Sequence, residues 1–170
     1  EKTLHEELME QNLKTPKYTL EGERYLAKCV KCYDADTIHI VIKNNHKFTR
    51  FVCRLERIDT PEIKSKSPEE KTAAKAARDY LKNLILDKLI LVKCGEFDKY
   101  GRLLGEIYSL KETTQMGGSP DGSSKYEEDS DSIYQWDNSL NKRLVDMGHA
   151  YLYDGGKKQT FSEWSSSSKN

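Results

Sequence analysis

The sequence lacks any long apolar run. No stretch approaches the ~20 consecutive apolar residues that a membrane-spanning helix needs. Only 36% of the 170 residues are hydrophobic, while 33% are charged, and the mean hydropathy is −0.83. These values exclude a transmembrane helix within this sequence and favour one globular domain.

Cysteine is also scarce. The four cysteines, Cys29, Cys32, Cys53 and Cys94, are too few and too scattered for a disulfide scaffold. Cys29 and Cys32 are spaced like zinc ligands, but the second Cys or His pair of a zinc site is missing. We expect reduced thiols in or beside strands, which mildly favours an intracellular site. The sequence shows no secretory signal and begins at Glu1 rather than Met, so localisation stays open.

Net charge is absent as well, with 28 Lys and Arg against 28 Asp and Glu. This balance conceals an uneven distribution, because residues 112–137 contain seven acids and one base, and the remaining 144 residues contain 27 bases and 21 acids. A basic body suits a polyanionic partner. We expect residues 111–132 to be a mobile acidic insert, since they carry too little apolar surface to order themselves.

Alternating apolar and polar residues predict strands, as in Ile38, Ile40 and Ile42. The predicted strands cover residues 25–32, 37–42, 47–55, 89–94 and 103–110. Apolar residues at helical spacing predict helices over residues 68–86, with a capping box at 67–70, and over 138–147. Residues 1–22 are expected to form a helical arm and residues 165–170 a disordered tail.

Three polar clusters interrupt the strands. They are Asp34 with Asp36, then Arg54 with Asp59 and Glu62, and finally Arg102. Each cluster alone is typical of a turn or a solvated surface. Together they supply what phosphodiester cleavage needs: carboxylates to hold a hard cation, a free carboxylate as base, and two guanidinium groups to stabilise phosphoryl charge. Two carboxylates without His or Cys favour calcium or magnesium over zinc.

The motifs in these clusters resemble those of the staphylococcal nuclease (thermonuclease) family. They are Asp34-Ala35-Asp36-Thr37, Arg54 before Asp59-Thr60-Pro61-Glu62, and Asp98-Lys99-Tyr100-Gly101-Arg102. The resemblance covers residues 24–110 and 138–153. It implies a mainly β, α+β fold over residues 23–164: a five-stranded OB-type β-barrel with two to three helices. It also implies a calcium-dependent endonuclease with one Ca²⁺, which hydrolyses DNA and RNA with little sequence specificity and leaves 3′-phosphate and 5′-hydroxyl ends. We expect a monomer.

By motif position, the resemblance assigns roles to the carboxylates. Asp36 and Asp59 resemble the metal ligands, with the Thr60 backbone carbonyl as a further ligand. Asp34 resembles a residue that supports these ligands from behind. Glu62 resembles the general base or the carboxylate that orients the attacking water.

The same resemblance assigns residues to the substrate. Arg54 and Arg102 resemble the pair that clamps the scissile phosphate, and Lys99 and Tyr100 fall where the family contacts a terminal nucleotide phosphate. Two tyrosines could stack on bases or be amphipathic residues at the edge of the core: Tyr151 and Tyr153.

The sequence also departs from the family. The loop after Glu62 is shorter, the acidic insert has no counterpart, and the family's last long helix is not evident. The alternative function is a non-catalytic, nuclease-like module that binds nucleic acid or protein. Such a module is expected to have lost at least one key residue, but all five are present: Asp36, Arg54, Asp59, Glu62 and Arg102. An OB-fold single-strand binder would need aromatic platforms along its strands. The strands offer few: Tyr33, Phe48, Phe51 and Tyr108.

Overall fold

A computed structural model describes residues 1–110, 122–126 and 130–167. Five strands form a closed barrel in the order β1-β2-β3-β6-β5. The strands are β1 (Arg24–Cys32), β2 (Thr37–Asn44), β3 (Lys47–Leu55), β4 (Ile58–Asp59), β5 (Leu89–Phe97), β6 (Leu103–Ser109) and β7 (Tyr151–Leu152), of which β4 and β7 form a separate two-stranded sheet. The helices are α1 (Leu4–Met9), α2 (Pro68–Ile85), α3 (Ser130–Ile133), α4 (Leu140–Asp146) and α5 (Phe161–Ser167), with a 3₁₀ helix at Trp136–Asn138. The predicted mainly β fold with an OB-type barrel is confirmed.

The barrel closes because β1 pairs with two strands. Its first half pairs with β5, from Arg24 opposite Lys93 to Lys28 opposite Leu89. Its second half pairs with β2, and the register shifts between Cys29 and Lys31. A bulge of this kind bends a strand and increases its twist. Neighbouring strands run antiparallel except β3 and β6, which run parallel.

The core lies inside the barrel and beneath α2. Ile38, Ile40 and Ile42 of β2 are at most 2% exposed. Ala77, Leu81 and Ile85, on one face of α2, belong to the same buried cluster. This burial follows from the period-two and helical patterns of the sequence.

The two chain ends differ from expectation. The arm is helical only over Leu4–Met9, and no residue of that helix is buried; Leu20 enters the core instead. At the other end, α5 runs through Ser167, so the expected disordered tail does not begin at residue 165. Residues 168–170 lie outside the described residues.

Part of the expected mobile insert is docked on the barrel. The Ser124 amide donates to the Lys43 carbonyl (2.8 Å), and the Leu26 amide donates to the Ser124 carbonyl (2.7 Å). Tyr126 is buried. Composition gives no sign of these backbone hydrogen bonds, which hold residues 122–126 against the barrel. Mobility of the insert stays a prediction. The acidic segments 111–121 and 127–129 lie outside the described residues. None of the helices in the described ranges is both long and apolar enough to cross a bilayer.

Candidate active site

Two carboxylates meet at one guanidinium group. Asp36 lies in the β1–β2 turn beside Thr37, which pairs with Arg54 of β3. Nη2 of Arg54 lies 3.4 Å from Asp36 Oδ2 and 3.4 Å from Asp59 Oδ1. Nη1 of the same side chain donates to the Leu55 carbonyl at 2.8 Å. All three charged side chains are buried. The Arg54 guanidinium therefore offsets the negative charges of both carboxylates, which would be costly to bury without a partner.

The two carboxylates differ in acidity. Burial alone would raise the pKa of Asp36, but the hydrogen bond with Asp34 and the charge of Arg54 outweigh it and hold the pKa below its usual range. Burial also raises the pKa of Asp59, and the charge of Asp36 adds to this despite the hydrogen bond from Tyr151. Asp36 is therefore the more firmly ionised of the two.

Asp34 lies directly behind Asp36. Its Oδ1 accepts the Asp36 amide at 3.1 Å. Burial, and then the neighbouring Asp36, raise the pKa of Asp34 to about 8. A protonated Asp34 can donate a hydrogen bond without adding a second negative charge, which suits a supporting residue better than a ligand.

The Thr60 hydroxyl is buried next to these carboxylates. Within the described parts of the chain its Oγ1 has no partner at hydrogen-bond geometry, although it is near enough to help lower the pKa of Asp36. A buried hydroxyl without a partner is costly, and a ligand nearby would satisfy it.

The donor set around Thr60 therefore fits a hard cation. The side chains of Asp36 and Asp59 and the Thr60 residue offer only oxygen, which calcium and magnesium prefer. Among the residues that the structure describes, no group of three or more His, Cys, Asp or Glu side chains is arranged to hold a metal ion. The remaining coordination places would fall to carbonyl, water and substrate oxygens.

Asp59 has two further partners that the sequence did not predict. Tyr151 lies opposite Asp59 in the β4–β7 pair, and its hydroxyl donates to Asp59 Oδ2 at 2.8 Å. Lys158 Nζ lies 3.7 Å from the same oxygen. A two-residue strand carries no periodic signal, and Lys158 follows Gly155 and Gly156 in a loop without a motif. Base stacking by Tyr151 stays a prediction.

Glu62 lies on the exposed loop before α2. Its amide donates to Glu70 Oε2 at 3.0 Å, and the Glu70 amide donates to Ser67 Oγ at 3.3 Å. The predicted capping box is therefore half formed, because the Glu70 carboxylate holds the Glu62 loop instead. Partial burial, followed by the charges of Asp36 and Asp59, raises the pKa of Glu62.

The β5–β6 hairpin positions Arg102. Asp98 Oδ2 accepts from Arg102 Nε at 2.7 Å, while Oδ1 accepts the amides of Tyr100 and Arg102. Gly101 allows this turn, because its φ of +82° is unfavourable for other residues. The Tyr100 ring lies 5.5 Å below the Arg102 guanidinium. Nε of Arg102 is therefore paired with Asp98, and Arg102 lines the cleft described below.

Most of the predicted site residues line two adjoining cavities. A cleft of about 660 Å³ is lined by Arg54, Lys99, Tyr100, Arg102, Tyr153 and Lys158, among others. A second hollow of about 310 Å³ is lined by Asp59, Thr60, Glu62, Tyr151 and Lys158, among others. Lys158 belongs to both. Neither Asp34 nor Asp36 is among the residues that line these two cavities, and Asp36 contacts the cleft wall through Arg54.

Comparisons with known proteins show which proteins this chain is similar to. A family model described as "Staphylococcal nuclease homologue" matches residues 52–169, which include every site residue named above except Asp34 and Asp36. Two proteins named "Uncharacterized endonuclease", from Escherichia coli O157:H7 and from Escherichia coli, are each 33% identical over 127 residues. These alignments cover 75% of this chain and 60% of each relative, so the chain spans about three fifths of their length.

Proposed function

Because this chain belongs to the family of staphylococcal nuclease homologues, we propose that it is a calcium-dependent endonuclease. It hydrolyses DNA and RNA with little sequence specificity and leaves 3′-phosphate and 5′-hydroxyl ends. The observation that carries the proposal is the contact of both Asp36 and Asp59 with Arg54, which lines the same cleft as Arg102. We propose residues 23–164 as the nuclease domain, acting as a monomer.

The two arginines hold the phosphate. Arg54 and Arg102 both line the cleft, and Asp98 fixes Arg102 from behind. Guanidinium groups placed around a phosphate bind the charge that develops on its oxygens more strongly in the transition state than in the ground state. Lys99, Tyr100 and Tyr153 would then contact the neighbouring nucleotides.

Glu62 accepts the proton of the attacking water. The raised pKa of its carboxylate brings it closer to neutral pH, where a base works best. Water oxygen attacks phosphorus, the bond from phosphorus to the 5′ oxygen breaks, and that oxygen takes up a proton from solvent water while Glu62 returns its own proton to solvent. The phosphate stays on the 3′ side.

Asp36, Asp59 and the Thr60 carbonyl are the residues that would hold Ca²⁺. When bound there, the ion supplies positive charge to phosphoryl oxygens and lowers the pKa of nearby water. Asp34 keeps Asp36 oriented by accepting a hydrogen bond from the Asp36 backbone amide, and the Tyr151 hydroxyl orients Asp59 by donating to its carboxylate.

The test is degradation of single-stranded DNA and of RNA with calcium, with magnesium and with chelator. We expect calcium-dependent cleavage, and a loss of kcat of roughly 10²- to 10⁴-fold in Glu62→Gln because the base is removed. Glu69→Gln is the matched control, since Glu69 is an exposed carboxylate of the first turn of α2. Direct calcium titration of both variants separates loss of the base from loss of the metal.

The alternative is a non-catalytic module that binds nucleic acid or protein. It predicts oligonucleotide binding without cleavage in any metal. If Glu62→Gln and Glu69→Gln lost equal activity, that result would contradict the proposed role of Glu62 as the base, although the nuclease function itself could stand.

A further inference from the structure

The outer face of strands β1 to β3 is basic. Ile38, Ile40 and Ile42 point into the barrel, so the residues between them point outward. On this face Lys31 lies opposite His39, and Lys28 and Arg50 flank Val41 from either side. We call these four residues, Lys28, Lys31, His39 and Arg50, the basic strip.

The charges of the strip are not compensated within the sheet. The strands β1, β2 and β3 contain no Asp or Glu at all. None of the ion pairs formed by the described residues includes Lys28, Lys31 or Arg50. The positive charge of the strip also affects His39. Partial burial, and then the charges of Lys31 and Arg50, lower the pKa of His39.

The strip leads directly into the candidate active site. Arg54 and Arg50 lie on the same face of β3, and Arg54 pairs with Thr37 next to Asp36. Four residues of an extended strand span about 13 Å. The strip therefore lies on the same strand face as Arg54, a residue of the cleft wall, about 13 Å away along β3.

Exposed aromatic rings accompany the strip at both ends. Tyr33, which follows β1, is 39% exposed, and Phe48 on β3 is 76% exposed. Lys43 lies opposite Phe48, with its Nζ 5.3 Å from the ring centre. A basic track flanked by exposed aromatic rings is the combination that binds single-stranded nucleic acid without regard to sequence.

We propose that the basic strip carries a single-stranded polynucleotide away from the cleft and so favours long substrates over short ones. The proposal rests on the proposed nuclease function. Phosphates contact Lys28, Lys31 and Arg50, and a base stacks on Phe48.

The experiment compares Lys31→Ala/Arg50→Ala with the wild type and with Lys14→Ala/Lys75→Ala. Lys14 and Lys75 are exposed residues of the arm and of α2, so this control removes the same charge away from the strip. Binding of a fluorescent oligonucleotide of about 12 nucleotides is measured by anisotropy at several salt concentrations with chelator. Cleavage of the same oligonucleotide and of a dinucleotide is measured with calcium.

For the strip variant we expect roughly tenfold weaker binding of the long oligonucleotide, and a salt slope reduced by about 1.4 for two lost phosphate contacts. KM for the long substrate rises by a similar factor, while kcat and dinucleotide cleavage stay unchanged. The proposed role of the basic strip would be overturned if the strip variant and the control lost equal binding affinity, or if the salt slope of the strip variant were unchanged.

The two proposals fail in different ways. If no protein cleaves either substrate in any metal, the nuclease function fails, while a strip-specific loss of binding still supports the strip. Thermal melting of each variant checks whether these substitutions of exposed residues leave the fold intact.

Discussion

At the residue scale, Lys158 competes for a carboxylate that the proposed metal needs. Its Nζ lies 3.7 Å from Asp59 Oδ2, and about half of its side chain is exposed. A cation at this place opposes calcium, so Lys158→Met is expected to strengthen calcium binding by up to about fivefold, the range of an exposed ion pair. Isothermal titration calorimetry measures the change.

Lys157→Met is the control for Lys158, because it removes a neighbouring exposed charge. Calcium binding that is unchanged or weaker in Lys158→Met would show that Lys158 does not compete for the site. Because Lys158 also lines the cleft, Lys158→Met is expected to raise KM for nucleic acid. Calcium affinity and KM therefore measure two separate roles of this side chain.

Single residues also show where prediction from sequence ends. The motif positions of Asp36, Arg54 and Asp59 were visible in the sequence, and the structure brings them together. The contact between Tyr151 and Asp59 was not visible, because it depends on a strand pair too short for any pattern. The roles of these residues in catalysis stay predictions.

At the element scale, the β5–β6 hairpin acts through one carboxylate. Asp98→Asn keeps a side-chain oxygen that can accept the backbone amides of the turn, but it loses the charge-assisted hydrogen bond with Arg102 Nε. We expect kcat to fall by about 10-fold or more, because a misplaced group costs rate even when it is still present. KM should change little.

A double-mutant cycle tests that interpretation. If Asp98 acts through Arg102, the substitution Asp98→Asn costs almost nothing further in an Arg102→Ala background. Additive losses would show that Asp98 has a separate role in the hairpin.

Elements with a regular pattern were predictable, and irregular ones were not. Strand β2 alternates, and α2 has a clear apolar face and a Ser-Pro start, so the positions of these two elements follow from the sequence. Backbone hydrogen bonds to Lys43 and Leu26 hold residues 122–126 against the barrel. Any sequence can form such bonds, which is why composition alone indicated a mobile segment.

At the scale of the whole molecule, Asn141 joins α4 to the barrel. It is fully buried, its Oδ1 accepts the Ile107 amide at 3.0 Å, and its Nδ2 donates to the carbonyls of Glu56 and Gly105. Asn141→Leu leaves the Ile107 amide and the Glu56 carbonyl without these partners, while the Gly105 carbonyl keeps the hydrogen bond from the Glu56 amide. We expect the free energy of unfolding to fall by about 3 kcal/mol, as measured by urea denaturation.

Asn83→Leu is the matched control, because Asn83 is an exposed residue of α2. Its effect should stay within about 0.5 kcal/mol. A similar loss in both variants would mean that the buried hydrogen bonds of Asn141 contribute little net stability.

The double pairing of β1 also sets an order of events during synthesis. The pairs between β1, β2 and β3 are local, so this meander can form early. The first half of β1, however, waits for β5, since Arg24 pairs with Lys93. Until the ribosome has released residues 89–97, that half is an unprotected strand edge on which another nascent chain could add. Closure of the barrel is therefore also the step that protects this strand edge from pairing with another chain.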